Sequence, residues 1–520
     1  MRTFDNDGHC TAGSITAWQE TCDHVAIVAA IRLVGSVISR QEILDFAVDF
    51  GLDANVVEKD YALGWFLAGF GEHAATRDAW LFKGGTCLKK CFFETYRFSE
   101  DLDFTLLDSA HLDRAFLAQL FQEVADWVYE NSGLTLPADA RRIDVHDNGR
   151  GGRSAEGRMG YRGPLGRTGD APRIKLDLTD HERVVMDPDR REVHHPYSDR
   201  PTEGIWTTTY RFEEIFAEKV RALAERLRPR DLYDVVHLHR RRELAPDRAA
   251  VLATLRQKCD FKGIAVPTLQ SIRESQLVGE LKVSWDQMLR HQLPALPSFD
   301  SFWNELPDVF SWLFEEQLPP TLTAISVANT GQIDSSWHAP NMATSWRGFG
   351  TSAPMEIVRF SAANRLCVEL EYRDEQGRRS SRVIEPYSLR RTSAGHILLL
   401  AVKADSGESR SYRLDRILGA TATGRQFVPR FLVELSDGQP LVAPLMGRQP
   451  RISMGGARRI GARARPAAMP GITQAIHIFR CTVCGRTFTK KRFNASLNSH
   501  KGRNGRPCMG RVGAFVRTKY

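Results

Sequence analysis

The strongest indication of the fold comes from two stretches, Phe82-Lys-Gly-Gly-Thr-Cys-Leu-Lys-Lys90 and Arg97-Phe-Ser-Glu-Asp-Leu-Asp103. In the first, Gly84 and Gly85 predict a turn at which the backbone can approach a ligand closely. The second ends in Asp101 and Asp103, within an alternating segment that predicts a short strand. Side chains two residues apart on a strand project from one face, with Cα atoms about 7 Å apart. Such a face has room for two divalent cations about 3.5–4 Å apart.

A third acid follows in Arg173-Ile-Lys-Leu-Asp-Leu-Thr179, where apolar and polar residues alternate as in a half-buried strand. If this strand pairs with the predicted strand over 101–106, Asp177 can share the cations with the first two acids. The alternative is that Asp177 belongs to a solvated strand face without a chemical role. A glycine turn followed by Asp-x-Asp is a more specific signal than Asp177 alone.

The motifs resemble the nucleotidyltransferases of the DNA polymerase beta type, whose pattern is a Gly-Gly or Gly-Ser turn, a helix and Asp-x-Asp. More closely, about residues 41–318 are similar to the AbiEii/AbiGii nucleotidyltransferase toxins of bacterial toxin–antitoxin and phage-defence systems. A gap of 15 residues separates Gly85 from Asp101, which is long for the superfamily but usual in the toxins. Four motifs stand in the family's order: Val57-Glu-Lys-Asp-Tyr61, Lys83 to Asp103, Lys175-Leu-Asp177, and Glu214-Ile-Phe-Ala-Glu-Lys219 to Arg230-Asp-Leu-Tyr-Asp234.

The resemblance implies transfer of a nucleotide from a nucleoside triphosphate to an acceptor hydroxyl, with tRNA as the leading acceptor. Two Mg²⁺ ions would be held by Asp101, Asp103 and Asp177. Lys219 would contact a phosphate, and Asp231 would be a second required polar residue. Positions predicted to line the nucleotide are Gly84, Gly85, Thr86 at the start of a helix, Lys83, Lys89 and Ser99, the last as a hydrogen-bonding support or a modification site.

Structural roles are the alternative for several of these residues. Asp231 and Asp234 would then be a helix cap and an ion-pair partner of Arg226 or Arg230. The acids and lysine of the first motif, Glu58, Lys59 and Asp60, would form a structural ion-pair cluster.

Composition bounds the class of protein. A chain of 520 residues with 42% hydrophobic residues predicts two to four globular domains. There is no run of 18 apolar residues, because Arg32 interrupts the nearest candidate, so we expect no membrane span. Acids at Asp5 and Asp7 argue against a signal peptide. Nine cysteines, six without regular spacing, indicate a reducing cytoplasm.

The net charge of +8 is concentrated at one end of the chain. From Gly438 onwards there are 17 Lys and Arg and no Asp or Glu, which leaves 54 basic and 63 acidic residues elsewhere, a net charge of −9. A polyanion is the natural partner of such a tail. The pattern predicts catalysis in a slightly acidic body and nucleic-acid binding through the basic tail.

Residues 355–436 show short alternating segments, beginning with Met355-Glu-Ile-Val-Arg-Phe360, that predict β-strands. Their order resembles a WYL domain, which implies a small Sm-like β barrel that senses ligands or nucleic acid. The defining Trp-Tyr-Leu is replaced by Ile397-Leu-Leu399, so the aromatic ligand contacts are missing. Arg382, Arg413 and Arg416 either face a polyanion or form a solvated rim that contacts protein.

The tail ends in a metal-ligand pattern. Cys481 and Cys484 are followed by 15 residues to His500 and 7 more to Cys508, which resembles a ββα finger of Cys₂HisCys type with Phe488 and Leu497 in its core. Three thiolates and one imidazole select tetrahedral Zn²⁺, here a structural ion. The surrounding lysines and arginines favour contact with a phosphate backbone.

The prediction is an α+β multidomain protein. An N-terminal extension (1–40) precedes a polymerase-beta-like nucleotidyltransferase core with a mixed sheet, flanking helices and a helical tail (41–318). A linker (319–354), a WYL-like barrel (355–436), a basic linker (437–472) and a zinc-finger module (473–520) follow. Two other functions stay open: a nucleic-acid-binding regulator on an inactive transferase scaffold, and an enzyme that nucleotidylates protein. The family implies a separately encoded antitoxin.

Overall fold

The computed structural model describes residues 38–93, 95–147, 152–240, 246–315, 322–328, 330–337 and 355–436, with 476–481, 483–484, 487–490, 500–501, 507–508 and 513–519 of the tail. Most of the predicted extension and all of the predicted basic linker (437–472) lie outside these residues, whereas 322–328 and 330–337 of the predicted linker 319–354 are described. The chain divides into two units at Met446–Gly447, and each is described by itself. No helix among the described residues is long and apolar enough to cross a bilayer.

The first unit begins with a helical and mixed-sheet region. Its helices are α1 (Arg40–Phe50), α2 (Ala54–Glu72), α3 (Gly84–Cys87, continued by a π-helical turn at Leu88–Phe92), α4 (Arg114–Ser132), α5 (Phe212–Arg226), α6 (Pro229–Arg240), α7 (Arg248–Lys262), α8 (Leu269–Arg273), α9 (Val278–Leu289), α10 (Phe299–Trp303) and α11 (Leu306–Glu315). Its strands are β1 (Trp80–Lys83), β2 (Asp101–Leu106), β3 (Arg141–Asp147), β4 (Arg153–Gly160), β5 (Arg173–Thr179), β6 (Asp189–Glu192) and β7 (Trp206–Thr209).

These seven strands form one mixed sheet in the order β3-β4-β5-β2-β1-β7-β6. The pairs β2–β5 and β1–β7 are parallel, and the other neighbours are antiparallel. Flanking helices bury the apolar faces, with Gly69 of α2 packed against α4. This mixed sheet with flanking helices fits the predicted nucleotidyltransferase core.

Local sequence explains where the first helices begin and end. The hydroxyl of Ser39 accepts a hydrogen bond from the amide of Glu42 and caps α1, and the carboxylate of Asp53 caps α2 in the same way. Between them Gly51, with φ +64°, ends α1 in the left-handed conformation that favours glycine. The helix predicted to start at Thr86 starts two residues earlier, at Gly84.

The predicted β-strand at Met355–Phe360 is wrong, because the structure has a helix, α12 (Met355–Ala363), at this place. Glu356 and Arg359 pair across one turn of it, 3.2 Å apart, a contact that only helical spacing allows. The strands that follow are β8 (Leu366–Arg373), β9 (Arg379–Arg391), β10 (Ile397–Lys403), β11 (Ser409–Arg413) and β12 (Ile417–Gln426).

These strands form an antiparallel sheet in the order β11-β10-β9-β8-β12. Among the described residues the predicted Sm-like barrel is not confirmed, since β11 and β12 are edge strands that do not pair with each other. Ile397-Leu-Leu399 of β10 is buried in the core of this sheet, which accounts for its aliphatic composition.

The second unit contains a three-stranded sheet, β14-β13-β17, and a two-stranded ladder, β15-β16. The strands are β13 (Ile476–Cys481), β14 (Thr487–Lys490), β15 (His500–Lys501), β16 (Pro507–Cys508) and β17 (Gly513–Lys519). Phe488, expected in a finger core, is partly buried beside Cys481 and Cys508. Leu497 and the expected finger helix fall outside the described residues.

Candidate active site

Two neighbouring strands bring three acids to one face of the mixed sheet. Strands β2 and β5 pair in parallel with Asp103 opposite Asp177, and Asp101 lies two residues from Asp103 on the same face. Leu102 and Phe104 point the other way and are buried. The pairing on which the three-acid prediction depends is therefore present.

The glycine turn lies directly against these acids. At Gly84, with φ +80°, an added Cβ would stand 2.0 Å from Oδ2 of Asp103. At Gly85 it would stand 2.4 Å from Nη2 of Arg97 and 3.1 Å from Oγ of Ser99. Any side chain at the turn would displace the acid or its neighbours, so glycine is required for the close approach. Ser99 thus lies beside the turn, and its role near a nucleotide stays a prediction.

The side chain of Thr86 connects the glycine turn to strand β2. Its buried hydroxyl donates a 2.5 Å hydrogen bond to the carbonyl oxygen of Asp101. This bond ties the glycine turn to β2 and fixes where the acids lie relative to it. The Thr86 side chain therefore has a partner within the protein backbone.

Burial and mutual repulsion govern the charge of the acids. Burial, and then the charge of Asp177, raise the pKa of Asp103 to about 6, against the opposing effect of Lys83 and Lys219. Burial likewise raises the pKa of Asp101, although Lys59 lowers it. Carboxylates whose ionised forms are disfavoured in this way are stabilised by a bound cation.

Asp177 has a cationic neighbour on its own strand. Nζ of Lys175 lies 2.8 Å from its Oδ1, and the Asp177 side chain is 42% exposed. The three aspartates do not form a group whose ligand oxygens all lie within 4.8 Å of one another, whereas the sulfur atoms of the cysteine group described below do. The donor set suits a hard divalent cation, and binding by all three acids would draw Asp177 away from Lys175.

Lys219 and two acids of α6 form a buried network beside this face. Nζ of Lys219 is 2.8 Å from Asp234 and 3.6 Å from Asp231. Asp231 also accepts two hydrogen bonds from Arg226, at 2.7 and 2.8 Å. This pair is the structural alternative stated for Asp231, with Arg226 rather than Arg230 as its partner.

Asp234 is the centre of the network, a role that sequence reasoning did not assign to it. It accepts two hydrogen bonds from Arg97, at 2.7 and 2.8 Å, and one of 2.5 Å from the hydroxyl of Tyr96. Burial would raise the pKa of Asp234, but Arg97 and then Lys219 outweigh it and hold this pKa well below its usual range. Its spacing, three residues after Asp231 on one helix face, was the available signal.

Two lysines predicted near the phosphates have contacts within the protein. Nζ of Lys89 lies over the ring of Phe98, 4.8 Å from its centre, with Phe50 also near. Nζ of Lys83 is 3.4 Å from Glu218, and this charge is the main factor that raises the lysine's pKa against the effect of burial. Lys83 also pairs with Asp103 across β1–β2 and its charge acts on that acid, whereas the described contacts of Lys89 are aromatic rings.

The Val57–Tyr61 motif also has internal partners. Glu58 accepts a hydrogen bond from the amide of Leu165, and Asp60 pairs with buried Lys90 at 2.7 Å. Lys59 pairs with Glu100, also at 2.7 Å. The structural alternative describes Glu58 and Asp60 well, while Lys59 lies close enough to Asp101 to influence its pKa.

Metal binding to the acids should show in thermal stability. The raised pKa of Asp103 means that its ionised form destabilises the folded protein above about pH 6, and a bound cation relieves this cost. We expect Mg²⁺ to raise the melting temperature more at about pH 7.5 than at about pH 5, where protons compete for the site. Asp103→Asn should remove the difference. Equal increments at both pH values would contradict the site.

In the second unit, Cys481, Cys484 and Cys508 place their sulfur atoms within 4.8 Å of one another. The Cys481 and Cys508 side chains are buried, and their sulfur atoms are 3.9 Å apart. His500 pairs with Cys508 across the β15–β16 ladder, while its side chain lies outside the described residues. Three clustered thiols are a donor set that suits zinc.

Zinc content tests this cluster. The purified chain should hold about one Zn²⁺, and Cys484→Ser should lose most of it because a tetrahedral site needs all its ligands. Cys259→Ala, in α7 of the first unit, is the control and should retain the metal. A wild-type chain purified without zinc, or a Cys484→Ser variant that keeps it, would rule the site out. Atomic absorption measures both.

Comparison with known proteins gives two family matches. Residues 65–315 match the family described as "Nucleotidyl transferase AbiEii toxin, Type IV TA system", and residues 355–422 match the WYL domain. No curated protein matches the chain.

Two solved structures show distant similarity. MenT4, a nucleotidyltransferase toxin from Mycobacterium tuberculosis H37Rv, is 15% identical over 51% of this chain and 85% of its own, with a TM-score of 0.32. Proteasome accessory factor B/C of Arthrobacter aurescens is 17% identical over 20% of this chain and 16% of its own, with a TM-score of 0.14. Scores this low carry no structural argument.

Proposed function

We propose that this chain, which carries a nucleotidyltransferase toxin domain of the AbiEii family at 65–315, transfers a nucleoside monophosphate to RNA. A WYL domain follows at 355–422. The observation that carries the proposal is the Gly84–Gly85 turn set directly against Asp103 on a face with two more acids. The phosphates would bind along this turn, where the lack of a side chain at both glycines lets the backbone lie close to Asp103.

The acceptor oxygen forms a new bond to the α-phosphorus, the bond to pyrophosphate breaks, and the hydroxyl proton leaves to solvent. Divalent cations, when bound to Asp101, Asp103 and Asp177, supply charge neutralisation for the phosphates. Gly84 and Gly85 admit the phosphates, and the cationic Lys219, held by Asp234, adds positive potential at this side of the site.

We propose tRNA, at its 3′ end, as the acceptor, and a role in toxin–antitoxin or phage defence with a separately encoded antitoxin. The family described for residues 65–315 supports the toxin role. The basic tail, with 17 Lys and Arg and no acids after Gly438, supports a polyanionic acceptor. The zinc cluster in that tail would give it a fixed structure on which to present these charges.

Labelling identifies the reaction. Purified protein is incubated with each α-labelled nucleoside triphosphate, Mg²⁺ and total bacterial RNA, and we expect label in a band of tRNA size. Label in protein instead would establish protein nucleotidylation. No label, with RNA binding intact, would favour a regulator on an inactive scaffold. Nuclease digestion locates the added nucleotide at the 3′ end or elsewhere.

A further inference from the structure

The cationic side chains around the face that carries Asp101, Asp103 and Asp177 differ in whether they already have an ion-pair partner. Most already have a carboxylate of the protein within ion-pair distance. These pairs are Lys59–Glu100 at 2.7 Å, Lys83–Glu218 at 3.4 Å, Lys175–Asp177 at 2.8 Å, Lys219–Asp234 at 2.8 Å and Arg226–Asp231 at 2.7 Å.

Arg230 has no such partner in the described part of the chain. It lies in the first turn of α6, next to Asp231, but Asp231 is bound by Arg226 on the other side. No described carboxylate lies within 4.0 Å of the Arg230 guanidinium, and its buried Nε has no hydrogen-bond partner. A partly buried guanidinium with an unsatisfied donor is costly unless a ligand supplies the acceptor.

The charged neighbours of Arg230 place it near Asp101. It lies close enough to Asp101, Glu100 and Asp234 to feel their charges, and close enough to Arg97 to be repelled by it. Burial, and then this repulsion, lower the pKa of Arg230, so the folded protein disfavours its charge. An anion beside Asp101 would reverse that balance.

We propose that Arg230 binds the β- or γ-phosphate of the incoming nucleoside triphosphate. Binding there breaks no internal ion pair, whereas a phosphate at any of the five paired cations competes with a carboxylate of the protein. The planar fork of a guanidinium matches two phosphate oxygens at once. The proposal rests on the nucleotidyltransferase function and adds to it the residue that distinguishes triphosphate from monophosphate.

Two variants of the full-length chain test the assignment, with Arg228→Gln as the control, because Arg228 is an exposed arginine two residues away. Titration with the four nucleoside triphosphates and the matching monophosphates, in Mg²⁺, measures affinity. Arg230→Gln should weaken triphosphate binding by about 10- to 100-fold, the range for losing a charge-assisted hydrogen bond, and leave monophosphate binding unchanged. Arg230→Lys should recover part of the loss, since it keeps the charge without the fork.

Stability without nucleotide provides a second readout. Because the fold disfavours this charge, Arg230→Gln should melt at the wild-type temperature or higher, whereas loss of a structural arginine would lower it. Unchanged triphosphate affinity, an equal loss for mono- and triphosphate, or a lower melting temperature would each overturn the proposal. A loss of tRNA affinity alone, measured without nucleotide, would assign the phosphate to the acceptor instead. If wild-type protein bound no triphosphate, the proposed function itself would fail.

Discussion

Replacing Asp103 by Asn should lower nucleotidyl transfer by about 10³-fold or more while leaving the fold intact. Three features meet at Asp103: a Cβ added at Gly84 would stand 2.0 Å from its Oδ2, it is in register with Asp177, and its pKa is raised to about 6. Asn has the same shape but no charge with which to hold a cation. Cation-mediated stabilisation of the transferred phosphate is worth several kcal/mol, and each 1.4 kcal/mol is about tenfold in rate.

The matched control is Asp144→Asn. Asp144 belongs to the same cross-strand row, which runs from Asp103 through Asp177 and Glu156, but it is exposed on the edge strand β3. Its replacement should leave activity unchanged. Label incorporation into RNA and growth arrest on expression measure both variants. Asp103→Asn should also melt no lower than wild type, since it removes a charge that burial disfavours. Growth arrest by Asp103→Asn as strong as that of the wild type would contradict an enzymatic toxin.

Several strands and helices of the catalytic core could be predicted from local periodicity in the sequence. Alternation in 101–106 and 173–179 predicts strands β2 and β5, and the structure has both with the acids on one face. The apolar spacing around Lys219 predicts helix α5 in the same way. These signals survive because each depends on residues close in sequence, whose shared face is set by backbone geometry alone.

Side-chain partners could not be read in the same way. Lys83 and Lys89 flank the glycine turn in sequence, yet their neighbours, Glu218 and Phe98, come from other elements. The π-helical turn at Leu88–Phe92 contributes, because it changes the rotation per residue just where Lys89 occurs. The sequence therefore predicts where a motif lies in the fold better than it predicts which partners the charged side chains next to the motif will have.

The segment Met355–Phe360 shows a different difficulty. Six residues with four apolar side chains fit both a strand and one and a half turns of helix, and periodicity cannot separate them at this length. Tertiary packing decides for the helix, since α12 contacts both its own sheet and the transferase region. Thr95 donates a 3.3 Å hydrogen bond to Glu356, and Tyr233 donates one of 2.9 Å to Asn364, just after the helix.

Replacing Asp234 by Ala should cause the largest loss of stability of any single change in the site, about 3–5 kcal/mol in the free energy of unfolding. Asp234 is buried and neutralises two buried cations, Arg97 and Lys219. Without it the two positive charges are left without their shared anion, and the Tyr96 hydroxyl loses its acceptor. Urea unfolding followed by tryptophan fluorescence measures the change.

Asp231→Ala tests whether the loss of stability comes from leaving buried cations without an anion or from removing any buried carboxylate. Asp231 is equally buried, but its main partner, Arg226, is 48% exposed and can turn to solvent when the acid is removed. We expect a cost of about 1–2 kcal/mol there, the scale of lost charged hydrogen bonds. Equal costs for the two variants at neutral pH would mean that stranded buried charge is not the cause.

The lowered pKa of Asp234 adds a second test. The stabilisation by Asp234 is present above about pH 4 and is lost as pH falls through the folded-state pKa, so the stabilities of the wild type and Asp234→Ala should converge in acid.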